Sequence, residues 1–117
     1  MIAAFVVVAS MFGTEAAAQG AAQYQFLAPP SVQHNWVYRV DVATGEMGLC
    51  WYDNGGSVGV TTCLPAGEGA GPQQPGQYRL LSTNLTGETS VFRADDISGR
   101  LSICYNKDNV VVCTPQQ

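Results

Sequence analysis

A chain of 117 residues with 5 basic and 9 acidic side chains carries a net charge of −4 and offers no basic patch. That balance argues against nucleic acid and anionic membrane surfaces as partners. Its length allows one small domain, and its 13 glycines and 6 prolines interrupt the sequence too often for long helices.

Residues 2–12 (IAAFVVVASMF) form an apolar run of signal-peptide length, too short to span a bilayer comfortably. No Lys or Arg precedes the run. Ala16 and Ala18 supply the small residues that a signal peptidase reads, which predicts cleavage after Ala18, with Ala22 as second choice. The alternative is an uncleaved N-terminal helix. No cysteine follows the run to carry a lipid anchor. Residues 1–18 are therefore read as a signal peptide and residues 19–117 as a single all-β domain, exported to the periplasm or secreted. No transmembrane segment is expected once the signal is removed. Four cysteines in an exported chain usually form two disulfides. Neither pair has CxxC spacing and His34 is the lone histidine, so no zinc site is expected.

The rest of the chain says nearly the same thing twice. Repeat 1 covers residues 23–65, a linker covers 66–76, and repeat 2 covers 77–115. A shift of 54 residues places Tyr24 on Tyr78, Val37 on Val91, Arg39 on Arg93, Asp41 on Asp95, Gly45 on Gly99 and Cys50 on Cys104. A four-residue deletion in repeat 2 then aligns Cys63 with Cys113. Each repeat holds four strand-like runs: residues 24–27, 35–42, 46–53 and 58–64, then 78–82, 90–96, 100–107 and 110–114. The linker lacks large apolar residues and reads as a flexible connector.

Turn chemistry sets the register. Asp41 to Gly45 and Asp95 to Gly99 begin with a side chain that accepts backbone N–H groups and end in a glycine free to take positive φ. A four-residue loop then opposes Val40 with Met47, Tyr38 with Leu49 and Trp36 with Trp51, all on one face; Arg39, Gly48 and Cys50 fall on the other. In repeat 2 the matching set is Phe92, Ala94, Leu101, Ile103 and Tyr105. Asp108-Asn109 suits a two-residue type I′ turn, which places Cys104 opposite Cys113. A turn centred on Gly56-Ser57 does the same for Cys50 and Cys63. Disulfides Cys50–Cys63 and Cys104–Cys113 are therefore expected, with the two cross-repeat connectivities as alternatives. The fold class is all-β: two tandem four-stranded antiparallel meanders, disulfide-stapled, forming a small barrel or a sandwich.

The segment WVYRVDVATGEMGLCW, residues 36–51, resembles a blade hairpin of quinoprotein-type β-propellers, which carry an aspartate, a Thr-Gly turn and a tryptophan after the next strand. Asp95, Ser98-Gly99 and Tyr105 form the weaker counterpart. The resemblance implies a four-stranded, blade-like topology and no quinone cofactor, since two blades cannot build a propeller of four to eight. The chain is also similar to small exported bacterial proteins with this hairpin, which implies no chemistry.

No catalytic constellation emerges. His34 lies in a loop with no local partner signature, and the pairing of all four cysteines leaves no thiolate nucleophile. Asp95 and Asp96 point to opposite faces of a strand, so turn capping is expected there. Asp41, Glu46 and Asp53 lack the loop signature of a calcium site. Arg39 and Arg93 each precede an aspartate by two residues on one face, which predicts local ion pairs. The candidate binding residues are Trp36, Tyr52, Arg39 and His34: Tyr52 on the outer face near Arg39, Trp36 more at home in the core. The expectation is a non-enzymatic, cofactor-free and metal-free module that binds a protein partner or serves the envelope, with self-association left open. A small-ligand or glycan binder using a barrel mouth or an aromatic surface is the alternative.

Overall fold

The computed structural model describes residues 3–4, 23–53, 55–56 and 58–117. The expected signal peptide and its cleavage site lie outside the described residues. Eight strands follow in order: β1 (Tyr24–Leu27), β2 (Trp36–Asp41), β3 (Met47–Asp53), β4 (Val60–Leu64), β5 (Tyr78–Ser82), β6 (Val91–Asp95), β7 (Leu101–Lys107) and β8 (Val110–Pro115). They build two antiparallel four-stranded meanders, β1-β2-β3-β4 and β5-β6-β7-β8. The sheets stack as a sandwich and do not close into a barrel. Among the described residues no helix is long and apolar enough to cross a membrane.

The register follows the turn chemistry. Trp36 opposes Trp51, Tyr38 opposes Leu49 and Val40 opposes Met47. The carboxylate of Asp41 accepts the N–H groups of Ala43 at 2.9 Å and Thr44 at 3.2 Å, and Gly45 takes φ +76°. Repeat 2 reproduces the device: Asp95 accepts Ile97 N–H at 3.0 Å and Gly99 takes φ +75°. Asp108 and Asn109 adopt φ 53° and 66°, the pair of left-handed residues a type I′ turn demands. Cys50 thus opposes Cys63 and Cys104 opposes Cys113. Both pairs are bridged, with Cα separations of 4.0 and 4.1 Å, and no cysteine is free. Two bridges are consistent with an oxidising, extracytoplasmic location.

The two repeats do not use the same face. The sheet of repeat 1 turns Tyr38, Val40, Met47 and Leu49 inward, as the sequence predicts. The sheet of repeat 2 meets it with Tyr78, Leu80, Val91, Cys104, Val111 and Cys113. These side chains match the outward face of repeat 1, not its inward one. Phe92 and Ile103, equivalent to the buried Tyr38 and Leu49, keep partial exposure on the far side. The sheets are therefore stacked in the same sense, front of one on back of the next.

The linker is a second departure from expectation. Ala70 is wholly buried in the core, and its carbonyl accepts Met47 N–H at 2.8 Å. Residue 66 forms a parallel bridge with Val111, and Cys113 N–H donates to the Glu68 carbonyl at 3.0 Å. Gly69 sits at φ +74° against the Cys113 carbonyl, where a Cβ would collide with backbone. The connector is thus a fixed edge that ties repeat 2 to β3, and small residues are required because two backbones meet there.

Burial separates the two disulfides. The loop-entropy model assigns each a similar stabilisation of about 2–3 kcal/mol. Cys104 and Cys113 are also 0 % and 3 % exposed, whereas Cys63 is at the surface. Replacing Cys104 and Cys113 by Ala therefore lowers the unfolding free energy more than replacing Cys50 and Cys63, although the former closes the shorter loop. Urea denaturation of the two double variants measures the difference, and partial reduction opens Cys50–Cys63 first.

Candidate functional site

The outward face of repeat 1 carries a groove of about 400 Å³, lined by Phe26, Asn35, Val37, Arg39, Cys50, Trp51, Tyr52, Thr61 and Cys63. Alternation along β1, β2 and β3 sends Phe26, Val37 and Tyr52 out while Leu27, Tyr38 and Leu49 go in. The result is an unusual concentration of exposed apolar surface: Tyr24 48 %, Phe26 64 %, Val37 38 % and Tyr52 51 %. The Cys50–Cys63 bridge lies among them.

The groove is held by polar contacts at its margins. Asn35 reaches across to Tyr52, donating to its carbonyl at 2.9 Å and accepting its N–H at 3.0 Å. The side chain thereby acts as one more ladder position and pins the Tyr52 backbone. The Tyr52 ring lies over Gly59, where any Cβ would clash with it. Arg39 stretches over Gly48 and places its guanidinium carbon 5.5 Å from the centre of the Tyr24 ring, a cation–π distance. Tyr24 and Phe26 follow at 6.5 Å between centroids.

The four predicted binding residues divide between two faces. Arg39 and Tyr52 share the groove. Trp36 packs half-buried against the core, and its ring lies 4.5 Å from that of His34. His34 also has a partner the sequence did not suggest, since its Nδ1 is 2.8 Å from Ser31 Oγ. Ser31 is 7 % exposed and accepts Gln33 N–H; the pair belongs to one tight turn. Among the described residues no hydrogen bond joins a carboxylate to the His34 ring. Nor do three His, Cys, Asp or Glu side chains cluster as metal ligands among the described residues.

The expected ion pairs of the two arginines do not form. Among the described residues the salt bridge is Arg79 with Asp96 at 2.7 Å. Arg93 is 4 % exposed and crosses the sheet interface, donating to the Gly45 carbonyl at 2.8 Å and the Gly69 carbonyl at 3.0 Å. Burial lowers its pKa, yet a guanidinium titrates so high that it stays charged. Asp95 turns its oxygen to the N–H groups of Ile97 and Gln77; these bonds hold its pKa below the ordinary carboxylate value. Tyr78 lays its ring against Gly45 and donates its hydroxyl to the Gln74 carbonyl at 2.6 Å. Burial raises its pKa, helped by nearby Asp95. Tyr38 donates to the Thr89 carbonyl at 2.6 Å and is likewise pushed up, first by burial.

No family model, curated protein or solved structure matches the chain. The geometry alone therefore carries the functional reading.

The equivalent arginines provide a controlled comparison. Arg93→Ala removes bonds to Gly45, Gly69 and Ser102 and strands the buried Gly45 carbonyl, a loss of about 3 kcal/mol. Arg39→Ala changes stability by about 0.5 kcal/mol or less, because its guanidinium is at the surface. Thermal and urea unfolding of both variants checks the contrast, and equal losses would show that Arg93 does not bridge the sheets.

Proposed function

We propose that this chain is an exported, non-enzymatic interaction module, periplasmic or secreted, that uses the outward face of repeat 1 to bind a protein partner. One observation carries the reading: Tyr24, Phe26, Val37 and Tyr52 expose contiguous apolar and aromatic surface around Arg39. Aromatic residues and arginine dominate the energetics of protein interfaces, and exposed apolar patches of this kind mark interaction sites. The disulfide framework supports an extracytoplasmic setting.

A second reading has its own support. Tyr52 and Phe26 flank a groove whose volume suits a small ligand or a sugar ring. The aromatic surface is the form of that alternative that an open sandwich allows.

Site-specific photo-crosslinking in the native compartment separates the two. A benzophenone side chain in place of Val37 is expected to yield a discrete protein adduct, while the same probe at Val32, 94 % exposed in a loop, yields none. No adduct at Val37, together with saturable quenching of Trp and Tyr fluorescence by a soluble glycan, would favour the ligand reading instead.

A further inference from the structure

The interface between the two sheets is a template for a second interface that the chain leaves open at both ends. We propose that the protein self-associates head to tail, the outward face of repeat 1 in one copy docking on the far face of repeat 2 in the next. This rests on reading the repeat 1 face as a protein-binding surface, and it names the partner.

The internal interface has a back and a front. The back, given by repeat 2, consists of Tyr78, Leu80, Val91, Arg93 and Cys104, exposed by 7 %, 8 %, 0 %, 4 % and 0 %. Its equivalent in repeat 1 is Tyr24, Phe26, Val37, Arg39 and Cys50. Four of these five residues are identical in type, and Phe26 stands where repeat 2 has Leu80. Yet Tyr24, Phe26 and Val37 are 48 %, 64 % and 38 % exposed. The front, given by repeat 1, includes Met47 at 3 % and Leu49 at 0 %. Its equivalents in repeat 2 are Leu101, 38 % exposed, and the partly exposed Ile103. Around them lies a groove of about 260 Å³ with Phe92 and Thr114. A back without a front and a front without a back are thus present on one molecule.

Specific bonds transfer with the shift. Arg93 donates to the Gly45 carbonyl, so Arg39 donates to the Gly99 carbonyl of the next copy. The Tyr78 ring covers Gly45, 2.9 Å from a would-be Cβ, while nothing lies within 4 Å of the equivalent point at Gly99. Tyr24 is the ring that fills that space. Tyr78 N–H donates to the Val42 carbonyl, which becomes Tyr24 N–H to Asp96. Two bonds do not transfer: Tyr38 donates its hydroxyl across the internal interface and Phe92 has none, and the Gly69 carbonyl that receives Arg93 belongs to the connector, outside the repeats. The contact between copies is therefore weaker than the internal one and concentration-dependent. An interface of unlike faces generates a ring where its rotation closes and a filament where it does not.

Unlike faces also dictate the test. Sedimentation velocity on the native chain, from about 1 to 200 µM, is expected to show species larger than one chain that grow with concentration. Phe26→Asp spoils the back and Leu101→Asp spoils the front; each variant alone is expected to lose every species above the monomer. Mixed in equal amounts, they retain one good back and one good front, and a complex of two chains and nothing larger is expected. Both positions are surface residues of the monomer, so far-UV circular dichroism and melting are expected to stay close to wild type. Arg39→Glu, outside the apolar cluster, gives the same loss by removing the bond to Gly99. A wild-type chain that stays monomeric across the range overturns the proposal. So does assembly by either aspartate variant alone, or a mixture that stays monomeric. If the wild type is monomeric while the Val37 probe still captures a different protein, self-association is refuted and the reading of the face as a protein-binding surface stands.

Discussion

A buried guanidinium needs acceptors, and in this molecule two of its three lie outside its own repeat. Arg93 leaves water to lie between the sheets, where an unpaired charge would be untenable. The carbonyls of Gly45 and Gly69 meet it there. The first ends the hairpin turn of repeat 1; the second lies in the connector. One side chain therefore fixes the turn, the connector and the second sheet relative to one another. The glycines are part of the same constraint: Gly45 admits the Tyr78 ring and Gly69 admits the Cys113 carbonyl, so backbone and ring approach closely enough for the arginine to reach both acceptors.

From that constraint comes the asymmetry of the two halves. The repeats share strands, turns, bridge positions and an arginine, but one arginine is buried among carbonyls and the other lies on a tyrosine at the surface. The difference is not in the residues. It is in whether another repeat stands in front of them. The same holds for the disulfides, since Cys104–Cys113 is core and Cys50–Cys63 lines a groove. Residues shared by the two copies are structural in repeat 2, and in repeat 1 they become available surface. The candidate site joins elements the copies share, Val37, Arg39 and the Cys50–Cys63 bridge, with positions where they differ, Phe26 and Tyr52 among them.

Local chemistry made the registers legible. Asp-to-Gly turns and Asp108-Asn109 set loop lengths, loop lengths set opposition, and opposition set both disulfides. What could not be read was which face of repeat 2 is inner. Phe92, Ala94 and Ile103 form as convincing an apolar stripe as Val91, Leu80 and Cys104, and Arg93 counts against the true face in any pattern of hydrophobicity. Two of its acceptors lie 48 and 24 residues away in sequence, beyond the reach of periodicity. The connector conceals its role for a similar reason: Ala70 and its flanking glycines look featureless until a second backbone is placed against them. At the groove, Arg39 and Tyr52 were legible as neighbours on one strand face. The contribution of Phe26 required the pairing of β1 with β2.

Everything above depends on the sense of stacking, back of repeat 2 on front of repeat 1. Nuclear Overhauser contacts between side chains of the two repeats test it most directly. Contacts are expected from the methyl groups of Leu49 and Val40 to those of Leu80 and Val91, at protein concentrations low enough to hold the chain monomeric. Contacts from Leu49 or Val40 to Ile103 and Phe92 under those conditions, with none to Leu80 or Val91, would contradict it.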